Sequence, residues 1–299
     1  MAKGSSAAAS EINYTLFAGC MIPLRHPYIE AAARRSLENL DINIADSDDF
    51  TCCPEPWSVK GSDIEAWLSI ALRNLAAGEK AGRDMLVLCN GCYSTLKEAE
   101  HIASSGGSAA EAARKRLASK KMKYSGAVGV RHVAQVLSDM TDEVRSSVKR
   151  PLSGLKVAVH HGCHLLRPAD VMSFDDPFEP SVIEGLIEVL GGEAVPYAGY
   201  TDCCGKAVRD SLVGLELAME KVSAMEGAGA DCITVVCPAC FEQFDLGQVE
   251  MKRKLKQEHA LPVFHLCELL ALAQGEDASK LGLERHRTPV KPAIDKLGS

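Results

Sequence analysis

Short apolar runs alternate with longer stretches of helical period along this chain, and each short run leads into a cysteine. The runs ending at Phe17, Leu88, Val159 and Val236 are a few residues long and apolar enough to be buried strands. Between them, stretches such as Ile64 to Ala77 and Ser181 to Leu190 place apolar residues at helical spacing. Gly191-Gly192 is expected to stop the second of these helices, and Pro151 with Ser153-Gly154 reads as a linker near the chain midpoint. The pattern predicts an α/β fold in two halves, with the cysteines where strands end. Open α/β sheets place their sites there, because loops can converge on a rigid frame.

The cysteines reveal an internal repeat. They fall at Cys20, Cys52, Cys53, Cys89 and Cys92, and again at Cys163, Cys203, Cys204, Cys237 and Cys240, each set reading C, CC, C-x-x-C. The flanking sequence repeats as well. Tyr14-Thr-Leu-Phe-Ala-Gly-Cys20 aligns with Val157-Ala-Val-His-His-Gly-Cys163, and Ala81-Gly-Arg-Asp84 with Ala228-Gly-Ala-Asp231. Leu86-Val-Leu-Cys89 aligns with Thr234-Val-Val-Cys237, and Val130-Arg-His-Val-Ala-Gln-Val-Leu137 with Val263-Phe-His-Leu-Cys-Glu-Leu-Leu270. The expected organisation is a disordered tail over 1–12, homologous domains over 13–150 and 151–274, and an extended C-terminal tail over 275–299.

Composition narrows the function classes. The 299 residues are 46% hydrophobic and 24% charged, as in a globular domain pair. A formal charge of −7 excludes a protein that wraps nucleic acid. The segment Met1 to Ser10 lacks the apolar core of a secretion signal, and no apolar stretch approaches the ~18 residues needed to span a bilayer. Direct membrane insertion is therefore not expected. Twelve cysteines without an export signal imply a reducing, cytoplasmic setting in which thiols serve as metal ligands or redox groups.

Three chemistries compete for a five-cysteine set. Zinc needs four ligands and would leave one cysteine over in each half. A thioredoxin-like dithiol explains C-x-x-C but not the upstream cysteines. An ordinary iron–sulfur cluster also takes four thiolates, so the fifth means an idle ligand or an unusual cluster with a bridging cysteine sulfur. The same surplus in both halves favours the last. Cys232 and Cys267 lie outside the repeat and read as buried small hydrophobes.

The duplicated pattern resembles the cysteine-rich CCG domain family, and in particular its heterodisulfide reductase B subunits. The likeness spans roughly Tyr14 to Leu270. It rests on Gly19-Cys-Met-Ile-Pro-Leu-Arg25, Cys52-Cys-Pro54, Cys89-Asn-Gly-Cys-Tyr93, Val130-Arg-His132, His161-Gly-Cys-His164, Cys203-Cys-Gly205, and Cys237-Pro-Ala-Cys240 with Gln243-Phe-Asp245. The resemblance implies that each five-cysteine set holds a noncubane [4Fe–4S] cluster, and the duplicated halves are expected to pack about a pseudo-twofold axis with the clusters facing a shared cavity. It implies a small-molecule substrate between them, the mixed disulfide of coenzyme M and coenzyme B. The implied partners within the heterodisulfide reductase complex are its flavin-containing A component and its iron–sulfur C component, with a hydrogenase or formate dehydrogenase as upstream donor.

One stretch departs from many relatives, which continue glycine-rich after the second Cys-Cys-Gly; here Cys204-Gly-Lys-Ala-Val-Arg209 carries bulky and basic side chains. The wider family also contains electron-transfer components of glycolate, lactate and glycerol-phosphate oxidation and of sulfur-oxidising Hdr-like complexes, so a relay without disulfide chemistry stays open. His164 is the candidate proton donor, since an imidazole titrates near neutrality. A hydrogen bond from His164 to a cluster sulfur is the competing role. Arg25, Arg167, Lys206 and Arg209 are candidates for the substrate's sulfonate and phosphate. His160 and His161 are expected to orient their loop, and the matched pair His132 and His265 to be structural.

Overall fold

The computed structural model describes residues 12–297, so eleven residues of the expected N-terminal tail lie outside the described residues. Eight strands form two parallel sheets: β1 (Ile12–Phe17), β2 (Ile42–Ala45), β3 (Asp84–Val87) and β4 (Val130–His132) in the first half, and β5 (Lys156–His160), β6 (Glu193–Ala194), β7 (Cys232–Val235) and β8 (Val263–His265) in the second. Their orders are β2-β1-β3-β4 and β6-β5-β7-β8, the same topology twice. Every pairing is parallel, with Leu16 opposite Leu86 and Val159 opposite Thr234.

Parallel strands need helical crossovers, and the long helices supply them. The helices that bear on the site and on the contact between halves are α1 (Pro27–Glu38), α2 (Ile64–Ala81), α3 (Asn90–Ser105), α4 (Val133–Asp139), α5 (Val182–Val189), α6 (Ser211–Gly227), α7 (Pro238–Glu250) and α8 (Leu266–Ala273). The helix anticipated from Ile64 to Ala77 runs one turn further. Asp63 caps its N-terminus by accepting from Ala66 N at 2.9 Å, worth about 1 kcal/mol. Gly82, at φ 73°, ends it where a side chain would be strained. Trp67, Leu68, Ala71, Leu72 and Leu75 form its buried stripe. The expected helix from Ser181 to Leu190 is α5, closed by Gly191 at φ 86°.

The halves exchange contacts reciprocally. Helix α1 packs on α8 of the other half, and α5 packs on α4, so an early helix of each half covers a late helix of its mate. This gives the pseudo-twofold arrangement. The join at 148–155 is packed as well: Leu152 and Leu155 are buried, and the amides of Lys149 and Arg150 donate to Ala273 O.

The C-terminal segment is not an extended tail. It forms two 3₁₀ turns, Ala278–Lys280 and Leu283–Arg285, and a short helix, Lys291–Lys296, burying Leu281, Leu283 and Ala293. Asp245 on α7 accepts from the amides of Arg287 and Thr288 and from the Thr288 hydroxyl, and buried His286 pairs with buried Glu268 at 3.1 Å. Charge and prolines suggest a solvated end. The determinants of docking are two buried carboxylates some 20 and 40 residues upstream, invisible to local patterning.

Candidate metal centre

Each cysteine group is delivered by a strand end or a helix start. Cys20 and Cys163 follow β1 and β5, each after a glycine with positive φ, Gly19 at 70° and Gly162 at 76°. A Cβ on Gly19 would lie 2.8 Å from Cys92 Sγ; on Gly162 it would lie 2.4 Å from Asn90 Nδ2 and 3.4 Å from Cys240 Sγ. The repeated Gly-Cys thus lets backbone approach the C-x-x-C thiols. Cys89 and Cys237 are the N-caps of α3 and α7, with Cys92 and Cys240 in the first turns. Backbone N–H groups and the helix dipole favour thiolates there.

The Cys-Cys loops are fixed differently in the two halves. Buried Asn74 accepts from Thr51 N and donates to Cys52 O at 3.0 Å, and Thr95 Oγ1 donates to Pro54 O. In the second half Gly205, at φ 85°, lies so close to Gly214 that a Cβ would meet Gly214 O at 2.0 Å, and Gln243 anchors that carbonyl at 2.9 Å.

All ten thiols join in one run. Cys20, Cys52, Cys53, Cys92 and Cys89 influence one another in sequence, as do Cys237, Cys240, Cys204, Cys203 and Cys163. The two sets meet where Cys89 Sγ and Cys237 Sγ lie 3.9 Å apart. Thiols donating from both sides hold Cys53 down at about 5 and Cys203 at about 2, and likewise hold Cys237 well below the ordinary thiol range. Their donors move the other way: Cys203 beside it raises Cys204 to about 12, and Cys163 and Cys240 rise too. So many sulfurs cannot all ionise side by side unless positive charge lies among them. That donor set fits a cationic metal group held by the thiolates, since a coordinating thiol is deprotonated outright. All twelve cysteines are free thiols.

Reciprocal histidines lock the C-x-x-C motifs across the pseudo-twofold. His132 Nε2 lies 3.2 Å from Val236 O, before Cys237, and His265 Nε2 lies 3.2 Å from Leu88 O, before Cys89. The other nitrogen of each caps its own helix, accepting from Ala134 N and Cys267 N. Burial holds both imidazoles below the usual range, His132 at about 3. With both nitrogens committed, these are structural residues.

A cleft opens beside the second set, between the halves, lined by Trp57, Asn90, Cys163, His164, Lys206 and Cys240. Asn90 donates to His161 O at 2.6 Å and so ties α3 to the loop before Cys163. His161 reaches Glu184 at 2.9 Å, as a loop-orienting residue would. His164 is half-buried, its Nδ1 3.3 Å from Ser94 Oγ and its ring 5.9 Å from Trp57.

The four candidate cations have different surroundings. Lys206 lines the cleft, but its Nζ pairs with Glu242 at 2.6 Å. Arg25, largely exposed, holds the same carboxylate at 2.7 Å. Arg167 donates to Thr201 O and Pro177 O and lies over Phe178, and Arg209 is exposed. Local sequence gives no sign of Glu242, because Arg25 is 217 residues away along the chain. Neighbouring His26, with Lys206 and Arg25, holds its carboxyl well below the ordinary range despite burial. Cys232 and Cys267 are fully buried, and desolvation raises both thiols.

The fold and the convergent cysteines define a class. The cysteine-rich CCG domain matches the chain twice, over residues 14–97 and 157–245, and the chain belongs to this family. It is 34% identical to the B subunit of the ferredoxin/F(420)H(2)-dependent CoB-CoM heterodisulfide reductase of Methanosarcina acetivorans, over 91% of this chain and 92% of that one. It is 31% identical to the 8-methylmenaquinol:fumarate reductase membrane anchor subunit of Wolinella succinogenes, over 91% and 96%. The crystal structure of a hypothetical protein from Helicobacter pylori has the same fold, with a TM-score of 0.76 at 15% identity, covering 94% of this chain and 53% of that chain, so this chain spans about half its length. No helix among the described residues is long and apolar enough to cross a membrane.

Proposed function

We propose that the chain is the cytoplasmic catalytic iron–sulfur subunit of a heterodisulfide reductase complex, with a noncubane [4Fe–4S] cluster in each five-cysteine set. The observation that supports this reading is the run of ten thiols meeting at Cys89 and Cys237, where a metal group in each set would lie next to the other. The reaction takes the coenzyme M–coenzyme B disulfide, two electrons and two protons to two thiols. The clusters, when bound, supply the electrons singly.

The residues of the chain then do the rest. Trp57 and Asn90 line the cleft; His164, beside Cys163 and oriented by Ser94, delivers a proton to a departing sulfur. Lys206 is the cation placed to meet an anionic substrate group, exchanging Glu242 for it, while Arg25 keeps that carboxylate neutralised. Arg167 and Arg209 contribute charge from further out. Electrons reach the chain through the flavin-containing A and iron–sulfur C components of the complex, from a hydrogenase or formate dehydrogenase.

A second reading, an electron relay without disulfide chemistry, is favoured by the pairing of both Lys206 and Arg25 with Glu242. Iron and acid-labile sulfide on anaerobically purified protein, followed by EPR with and without the mixed disulfide, separates the two. About eight irons per chain and a paramagnetic signal appearing only with the disulfide is the expected result. The same iron with no response favours the relay, and zinc in place of iron defeats both.

A further inference from the structure

The two cysteine sets differ at one buried position that the repeat aligns. In the first half Phe17 ends β1 and packs edge-on against Phe50, with centroids 5.1 Å apart. Its counterpart, at the end of β5, is His160, 1% exposed. The imidazole also packs edge-on against a phenylalanine, Phe244 at 5.0 Å, so its shape is accommodated as Phe17's is. Its polarity is not: neither ring nitrogen has a hydrogen-bond partner among the described residues.

A buried N–H without an acceptor is costly, and sites that retain one usually serve a further group. Two sulfurs lie close by. A ring nitrogen of His160 and the Sγ atoms of Cys204 and Cys240 all lie within 4.8 Å of one another. Nearby Lys221 is already committed to Gly199 O and the face of Tyr197. Burial, with Lys221 and His161 close by, disfavours the charged imidazole. In either protonation state the ring carries at least one N–H. Five thiolates already exceed the four that an ordinary cluster requires, which leaves the histidine no place as a further ligand.

We propose that His160 donates its ring N–H to a sulfur of the metal group held by the second cysteine set, an interaction the first set lacks. The inference rests on the iron–sulfur reading above. A hydrogen bond to sulfur stabilises the more negative, reduced state, so it raises the reduction potential of that centre. The hydrogen bond thus biases electrons within the chain toward the centre beside the cleft lined by His164 and Lys206. His160 is a positioning and tuning residue and does not touch substrate.

The test uses the full chain, purified anaerobically, with iron counted and both centres titrated by EPR-monitored potentiometry. In His160→Phe, which restores the residue of the first half, one centre is expected to shift to lower potential while the other stays. In His160→Gln, which keeps an N–H donor, the shift is smaller. Labelling wild-type protein with ¹⁵N-histidine is expected to alter the hyperfine pattern of that same centre, a readout that needs no variant to fold. Unchanged potentials in iron-loaded His160→Phe, or no label effect in the wild type, would overturn the inference and leave the cluster reading intact. Wild-type protein without iron would overturn the cluster reading itself.

Discussion

The two halves share sheet order, glycine geometry and capping histidines, yet they are built around different interiors. Phe17, beside the first set, is matched by His160 beside the second; Asn90 in the first C-x-x-C is matched by Pro238. The Cys-Cys loop of the first half hangs on the buried amide of Asn74, and that of the second on a backbone contact between two glycines. In the capping boxes, Gln135 after His132 becomes Glu268 after His265, and the acid pairs with His286 of the C-terminal segment. Duplication preserved what places the thiols. It left free what surrounds them, and the cleft lies where Trp57 and Asn90 of the first half face His164 and Lys206 of the second.

The largest expected effect separates the halves outright. Replacing Cys203 and Cys204 by serine should remove about half the iron per chain, and replacing Cys52 and Cys53 should remove the other half. Loss of all iron from either pair of substitutions would mean that the sets, touching at Cys89 and Cys237, assemble only together.

Gly162→Ala should come next. It adds a Cβ 2.4 Å from Asn90 Nδ2 at a positive φ, a combined cost of about 2–4 kcal/mol by urea denaturation. Adding Asn90→Ala should recover the steric share and leave the backbone strain. Gly19→Ala, against a thiol at 2.8 Å, tests whether the halves differ in how tightly backbone meets sulfur.

His132→Ala and His265→Ala each remove a helix cap and a hydrogen bond across the halves, for about 1–3 kcal/mol. Equal losses would show that the pseudo-twofold holds energetically, while a larger loss for His265 would reveal the coupling of its capping partner Glu268 to the C-terminal segment.

The smallest effect is a pH dependence confined to the second half. Burial opposes charge on His286, but Glu268 outweighs it and raises the folded-state value above the ordinary 6.5. The stabilisation is therefore fully present below pH 6.5 and declines as pH rises through the higher folded-state value. Thermal denaturation of His286→Gln against wild type across neutral pH should show this slope flattening.

Local sequence was enough for the features that depend on near neighbours. Apolar period distinguished strands from helices, Gly191 marked a helix end, and the spacing of ten cysteines repeated with their Gly-Cys turns because each such turn must admit a thiol. These are constraints one residue imposes on the next few, so they are written in order along the chain. The tertiary structure decided what depends on separation. It brought Cys89 to Cys237, set Glu242 between Arg25 and Lys206, folded the charged C-terminal segment onto Asp245 and Glu268, and aimed an unpartnered His160 at two sulfurs. A charge or an imidazole has the same symbol whether solvated or buried. Only packing fixes its dielectric surroundings and its partner, and with them its chemistry.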